Sequence, residues 1–214
     1  MSKHWLLRGG LLSELYKKRK MREMRFEGID FSKCEVKEMA PDSDNLGQGF
    51  KCIRNDFATY IKGRKIRMEC RSMTSKCWIV EHGSNLAGYI TLMADKLTSE
   101  YCLLENEGIV YKTFPAIKIG WLAADRRAKG VGSRLLEWAI QYVTTDLANR
   151  VGIRFITVDA LYDPDTGYDI SGYYERFGFE RVNIENAQPC GNFRTMYFDI
   201  KSVAEHAKAI RKSV

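Results

Sequence analysis

From Ala116 onwards the chain switches twice between an apolar run and apolar positions at helical spacing. Ala116–Ala124 is short and mostly apolar, the pattern of a buried strand. Val131, Leu135, Ala139, Tyr142 and Val143 then share one face of a helix that begins near Val131. Gly152–Val158 predicts a second buried strand, nearly continuous in apolar residues. After it, Ile170, Tyr173, Tyr174 and Phe177 mark a short helix from Asp169 or Ser171 to Phe177. Asp169 suits its N-cap, because a carboxylate accepts the unpaired amides of a first turn. Gly178 suits its end, because glycine tolerates the left-handed conformation found there. The polar segment Leu161–Ile170 reads as the loop between strand and helix.

The first half of the chain is less regular. Cys34–Met39 predicts a first strand, and Ile53, Phe57, Tyr60 and Ile61 mark an amphipathic helix. Cys77–Glu81 and Leu86–Met93 flank Gly83-Ser-Asn85, turn chemistry that predicts a hairpin. Gly108–Tyr111 reads as a short strand. Phe179–Ile184 and Phe193–Ile200 predict an antiparallel pair, and Ser202–Lys212 a terminal helix capped by Ser202. The chain has no internal repeat and no low-complexity tract. One α/β domain is expected over 31–200, with a basic extension over 1–30 and a C-terminal helix over 201–214.

Charge adds a second layer. The formal net charge is +7, and it is concentrated in two places. Tyr16-Lys-Lys-Arg-Lys-Met-Arg22 is one. Lys51, Arg54, Lys62, Arg64, Lys65, Arg67, Arg71 and Lys76, set against only Asp56 and Glu69, are the other. Such a localised field attracts a polyanion such as RNA through salt-sensitive phosphate contacts. The same residues also read as a solvated tail, an oligomer contact or an ordinary basic helix face. The six cysteines are scattered without a Cys-x-x-Cys pair, and the three histidines stand apart from them. Neither a metal site nor a disulfide framework is expected, and reduced thiols fit the cytoplasm. No apolar run is long enough to span a bilayer. Arg8 and a glycine pair break the N-terminal Trp5-Leu-Leu run, so it is not read as a signal peptide.

Between the strand ending at Ala124 and the helix starting at Val131 lies Arg127-Ala-Lys-Gly130-Val-Gly132. Glycines there let the backbone turn sharply and bring amides close to an anion. The helix start adds unpaired N–H groups and a positive dipole end. The unit reads as a pyrophosphate cradle, and alone it reads equally as a tight turn with no ligand. No Gly-Lys-Ser/Thr follows, so it is not a P-loop, and the third glycine of the dinucleotide fingerprint is missing. Downstream stands Tyr174-Glu-Arg-Phe-Gly178-Phe179. With both signatures in this order, the chain resembles the GNAT acetyltransferase superfamily from about Phe31 to Ile200. Within it, L-A-A-D-R-R, V-D-A and Y-Y-E-R-F-G-F are most similar to the bacterial toxins that acetylate the amino group of aminoacyl-tRNA.

The resemblance implies a GNAT fold: a mixed, mostly antiparallel sheet, splayed beside its central strand and flanked by helices. It implies acetyl-CoA as co-substrate, and no metal. The pantetheine arm then lies along Leu122, Ala123 and Ala124 like an added strand. The amides of Arg127, Ala128, Lys129, Gly130, Val131, Gly132 and Ser133 take the pyrophosphate, and one N–H near Ala124 polarises the thioester. Arg127 and Lys129 add charge or face water, and Arg126 is the weaker candidate. Tyr174 occupies the place of the general acid that protonates the departing sulfur. A phenol at about 10 and a thiol somewhat lower make that transfer nearly balanced. Tyr174 also reads as packing alone, and Tyr173 as core or wall, with the acid role as its reserve.

Ile117–Trp121 carries no carboxylate where many GNAT relatives place a base. Water relays, Glu105, Glu107 or Asp159 remain. A lysine acceptor at about 10.4 gains most from a base, whereas an α-amine at about 7.7–8 is already partly neutral. The missing carboxylate therefore tilts the acceptor towards an α-amine. Three functions follow: acetylation of aminoacyl-tRNA; acetylation of a protein or small-molecule amine, favoured by Asp163, Asp165 and Asp169 in the loop; and a non-catalytic acyl-CoA-binding or nucleic-acid-binding module. The resemblance adds a homodimer and an antitoxin-like protein as partners.

Overall fold

The computed structural model describes residues 25–40, 42, 46–99, 103–182 and 192–205. The basic run Tyr16–Arg22 lies outside them, as does the expected terminal helix beyond residue 205; 201–205 are helical.

The order is β1 (Lys37–Glu38), α1 (Asn55–Lys62), α2 (Arg64–Arg71), β2 (Lys76–His82), β3 (Asn85–Thr98) and β4 (Thr113–Ala124). Then follow α3 (Val131–Tyr142), β5 (Phe155–Asp163), β6 (Tyr168–Asp169), α4 (Ser171–Glu175), β7 (Glu180–Arg181) and β8 (Phe193–Asp199). The sheet runs β1-β2-β3-β4-β5-β8-β7, with β6 paired to β5. Only β4 and β5 pair in parallel; the other ladders are antiparallel.

Strand alternation sends neighbouring side chains to opposite faces and so builds a core on each, with a third cluster of Leu97, Leu104, Phe114, Ala116 and Phe155. On one face, Val131, Leu135, Leu136 and Ala139 of α3 pack on Ile90, Ile119, Ile156 and Met196. On the other, Ile61, Ile66 and Cys70 of α1 and α2 pack on Ile79, Leu86 and Tyr89. Phe26 joins the α3-side core and meets Phe31 edge-on, ring centroids 5.7 Å apart. Gly88 is where α3 approaches β3 most closely: a Cβ there would lie 2.5 Å from a Val131 methyl and 3.0 Å from the Ala123 carbonyl. Gly88→Ala is therefore expected to destabilise the fold by about 1–3 kcal/mol, read as a lower denaturation midpoint with an unchanged slope.

Several boundaries differ from the sequence pattern, each for a physical reason. The basic amphipathic segment is two helices, broken at Gly63, whose extended backbone caps α1 through its amide to Thr59 O at 2.9 Å. Gly108–Tyr111 is not a strand. Gly108 takes a left-handed φ of +73° and closes a 3-10 turn over Glu105–Glu107. β5 starts at Phe155 and runs through the expected loop, because β8 pairs it as far as Leu161 and β6 takes over at Tyr162 and Asp163. The segment read as a loop is thus a hairpin. The N-cap of α4 is Ile170 and not Asp169, which stands one residue earlier; the Asp169 Oδ1 still accepts from the Ser171 amide at 2.8 Å. β7, at Glu180–Arg181, pairs antiparallel with β8, and the end of the expected Phe179–Ile184 strand beyond residue 182 lies outside the described residues. No helix of the described residues is long and apolar enough to cross a membrane.

Candidate active site

β4 and β5 pair only from Ala116↔Phe155 to Ile119↔Val158. Beyond that point β4 continues to Ala124 against β3, and β5 to Leu161 against β8. The sheet opens into a V between Gly120–Ala124 and Asp159–Leu161. A bulge bends β4 there: Thr91 alone faces both Gly120 and Trp121, between the pairs Ile90↔Leu122 and Leu92↔Ile119. The Trp121 amide donates to Thr91 Oγ1 at 2.9 Å. Glycine fits at 120, because a Cβ would lie 2.7 Å from Met93 Cε and 2.9 Å from Thr91 Oγ1.

A cleft of about 330 Å³ fills the V. Leu122, Ala123 and Ala124 form one wall, Val158, Asp159 and Leu161 the other. Ala128, Lys129, Gly130 and Gly132 close one end, and Tyr173 and Tyr174 line the cleft from α4. The expected cofactor residues thus surround one space, with three exceptions. Val131 is fully buried in the α3-side core, so only its backbone serves the turn. Ser133 follows in the same first turn of α3 without lining the cleft. Arg127 is turned away.

Arg127 and Asp125 form the latch beneath the turn. The Asp125 side chain has no exposed surface and accepts from Arg127 Nε at 2.7 Å, Arg127 Nη2 at 2.6 Å, the Arg127 amide at 3.0 Å and the Lys51 amide at 2.9 Å. Arg127 Nη2 also donates to Gly49 O at 2.8 Å. Both the guanidinium and the amide of Arg127 are thus committed inside the protein, and Arg126 and Lys129 supply the cationic lining instead. The latch role of Asp125 has one sign in the sequence, an acid placed directly before two arginines at the strand end. Above the latch, Gly130 takes φ +87° as the N-cap of α3. The amides of Lys129, Gly130, Gly132 and Ser133 donate to no acceptor among the described residues. They are the unpaired donors of a helix start, aimed where an anion gains most.

Tyr174 is 7% exposed, and its hydroxyl makes no hydrogen bond among the described residues. Burial pushes its pKa well above the ordinary phenol value, so it stays protonated at neutral pH. Of the three carboxylates considered as base, only Asp159 lines the cleft. It sits one residue past the last β4–β5 pair, at the vertex of the V, ion-paired to Lys118 Nζ at 2.5 Å and accepting from Thr195 Oγ1 at 2.9 Å. Glu107 instead takes Arg154 and Lys201, whose hydrogen bonds hold its pKa down at about 2.

The mouth is framed by Ile53, Arg54 and Phe57 before and within α1, and by Tyr168 on the β5–β6 hairpin. None of these was anticipated as a cleft residue. The hairpin's acids are largely engaged: Asp163 accepts from the Asp165 amide at 3.2 Å, and Asp169 pairs with Arg194 at 3.1 Å. Among the described residues, no group of three His, Cys, Asp or Glu side chains is placed to hold a metal ion.

No protein-family model matches the chain, and no curated protein matches it by sequence. Solved structures do. AtaT complexed with acetyl-methionyl-tRNAfMet superposes with a TM-score of 0.67 at 21% identity, covering 81% of this chain and 98% of that one. The chain has the GNAT fold. A tyrosine-to-phenylalanine variant of KacT gives 0.66 at 20% identity, covering 80% of this chain and 98% of that one. A tyrosine-to-phenylalanine variant of the AtaT toxin, bound to the C-terminus of the antitoxin AtaR and acetyl-CoA, gives 0.61 at 21% identity, covering 81% and 97%.

Proposed function

We propose that this chain is an acetyl-CoA-dependent N-acetyltransferase whose acceptor is the α-amine of aminoacyl-tRNA. The observation that carries it is the shared cleft: an unpaired edge of β4, a turn of free amides at one end, and Tyr174 and Asp159 on the remaining walls. The cofactor's pyrophosphate meets the amides of Lys129–Ser133, with Arg126 and Lys129 beside it. Its arm runs back along Ala124 and Leu122, as a strand would. That direction delivers the thioester towards the vertex, where Asp159 stands.

The acceptor enters as an ammonium, and Asp159 takes its proton and passes it to solvent. The neutral nitrogen attacks the thioester carbonyl. The C–S bond breaks, Tyr174 protonates the departing thiolate, and the tyrosinate recovers its proton from the new amide nitrogen. Asp159→Asn is expected to slow transfer about 10–100-fold near pH 6–7. The deficit should shrink above about pH 8, where an α-amine is neutral unaided. A pH-independent deficit in the rate profile would remove the proton-accepting role.

The tRNA acceptor is supported by three features. α1 and α2, which the chain enters at the Arg54–Phe57 rim, carry exposed Lys62, Arg64, Lys65 and Arg71, of which Lys65 pairs with Glu69 and Arg71 with Asp42. The carboxylates of the β5–β6 hairpin are mostly occupied within the protein. AtaT, of the same fold, is known in complex with acetyl-methionyl-tRNA. An antitoxin-like partner and a homodimer belong to the same reading, the former because AtaT binds AtaR. The test is an acceptor screen with labelled acetyl-CoA: label is expected on charged tRNA and absent from deacylated tRNA. Label only on peptides or polyamines would make the acceptor a protein or small-molecule amine.

A further inference from the structure

We infer that the cleft selects an apolar side chain on its aminoacyl acceptor, through a collar made by Ile53, Phe57, Leu161 and Tyr168; this rests on the aminoacyl-tRNA reading of the same cleft. The lining comes from both faces of the sheet. Leu122, Ala124, Tyr173 and Tyr174 belong to the α3-side core, and the turn that takes the anion stands at the start of α3. That side receives the cofactor. Cys52 and Phe57 pack instead on the core beneath α1 and α2. Val158 and Ala160 face α3, so alternation along β5 turns Asp159 and Leu161 to the α1 side. Asp159 therefore faces away from the cofactor's side, and an amine reaches it past the start of α1.

What the amine passes is apolar. Ile53 lines the cleft and is 82% exposed, an aliphatic side chain left in water at the entrance. Phe57 follows in the first turn of α1 and is held in place: its ring meets Trp121 edge-on at 5.0 Å, and Trp121 stacks on Tyr60 at 4.3 Å. Leu161 and half-buried Tyr168 line the cleft from β5 and β6, and Tyr168 is close enough to Arg54 to feel its charge. The charges nearby are matched within the protein, Arg54 with Asp56 at 3.2 Å and Asp159 with Lys118 at 2.5 Å. An aminoacyl ester with its α-amine at Asp159 carries its side chain on the adjacent carbon. Leu161 lies two residues further along the same face of β5, about 7 Å away, which is the reach of a long aliphatic side chain. Such a side chain covers Ile53 and removes apolar surface from water. A charged one would shed its hydration against walls that offer it no partner, and glycine would leave the collar uncovered.

The test measures kcat/KM for one tRNA body charged in turn, by an acylating ribozyme, with methionine, leucine, glycine or aspartate. The full chain and its Ile53→Ser variant are compared at saturating acetyl-CoA; the exposed position keeps the substitution from disturbing the fold. The wild type should prefer the methionyl and leucyl forms over the glycyl and aspartyl forms by about 10–100-fold, the range that apolar contact supplies. In Ile53→Ser the methionyl-to-glycyl ratio should fall about tenfold. Equal rates on all four forms, or a preference for the glycyl or aspartyl form, would overturn the assignment. So would equal losses on the methionyl and glycyl forms in the variant, which would make Ile53 part of the general entrance and not of a side-chain site. No transfer to any charged tRNA, with transfer to peptide or polyamine amines, would instead bring down the tRNA reading itself, and the assignment with it.

Discussion

Tyr174→Phe is expected to lower the rate of acetyl transfer by about 10²–10⁴-fold, the span of general acid catalysis, and to leave acetyl-CoA affinity nearly intact. The phenol is buried and kept protonated by burial, and its hydroxyl has no competing partner among the described residues. Phenylalanine keeps the ring and its edge-on contacts with Tyr173 and Phe179, at 5.2 and 5.6 Å, so the wall of the cleft stays in place. Only the proton donor is removed. Single-turnover rates and calorimetric titration separate the two quantities. Equal losses of rate and affinity would show that Tyr174 shapes the cleft rather than protonates the sulfur.

Asp125→Ala is expected to have the largest effect on the fold near the site: a loss of about 3–5 kcal/mol together with loss of acetyl-CoA binding. Removing this carboxylate takes from the Arg127 guanidinium, whose side chain is 10% exposed, the two short hydrogen bonds it makes to Asp125. It also frees the Lys51 and Arg127 amides that hold the turn to the 49–51 segment. Burial raises the Asp125 pKa, but the hydrogen bonds from Arg127 and from the two amides outweigh it and leave it lowered. A lowered carboxylate pKa stabilises the fold fully above the ordinary carboxylate range and loses that effect as pH falls through the folded value. The latch is therefore intact throughout the neutral range and opens only in acid. Denaturant unfolding of the variant at neutral pH checks the magnitude. A loss under about 1 kcal/mol would mean that the turn is held by something else.

The parts of this site that were legible in the sequence are those set by local spacing. β4, α3 and the tyrosine-bearing α4 each follow from the apolar pattern within their own short segment, and Gly130 and Gly178 mark real left-handed positions, φ +87° and +84°. The parts that were not legible depend on register between distant strands. The V exists because Thr91 faces both Gly120 and Trp121, and neither residue signals a bulge alone. Asp159 was one of three acids until strand pairing set it at the vertex and fixed Glu107 against Arg154. The β5–β6 hairpin was hidden because Asp163-Pro-Asp-Thr-Gly167 has the composition of a loop, and only pairing to Tyr168 and Asp169 makes it a hairpin. Arg127 matched the expected cradle by position, but its direction was decided by an acid two residues earlier.

The most direct measurement is the chemical identity of the acetylated product. Total aminoacyl-tRNA is incubated with the protein and acetyl-CoA and digested to aminoacyl-adenosine, and the fragments are examined by mass spectrometry. The account predicts aminoacyl-adenosine carrying one acetyl group on the α-nitrogen, absent when acetyl-CoA is omitted and nearly absent with Tyr174→Phe. Unmodified aminoacyl-adenosine, recovered under conditions where the protein binds acetyl-CoA and transfers its acetyl group to another amine, would contradict it.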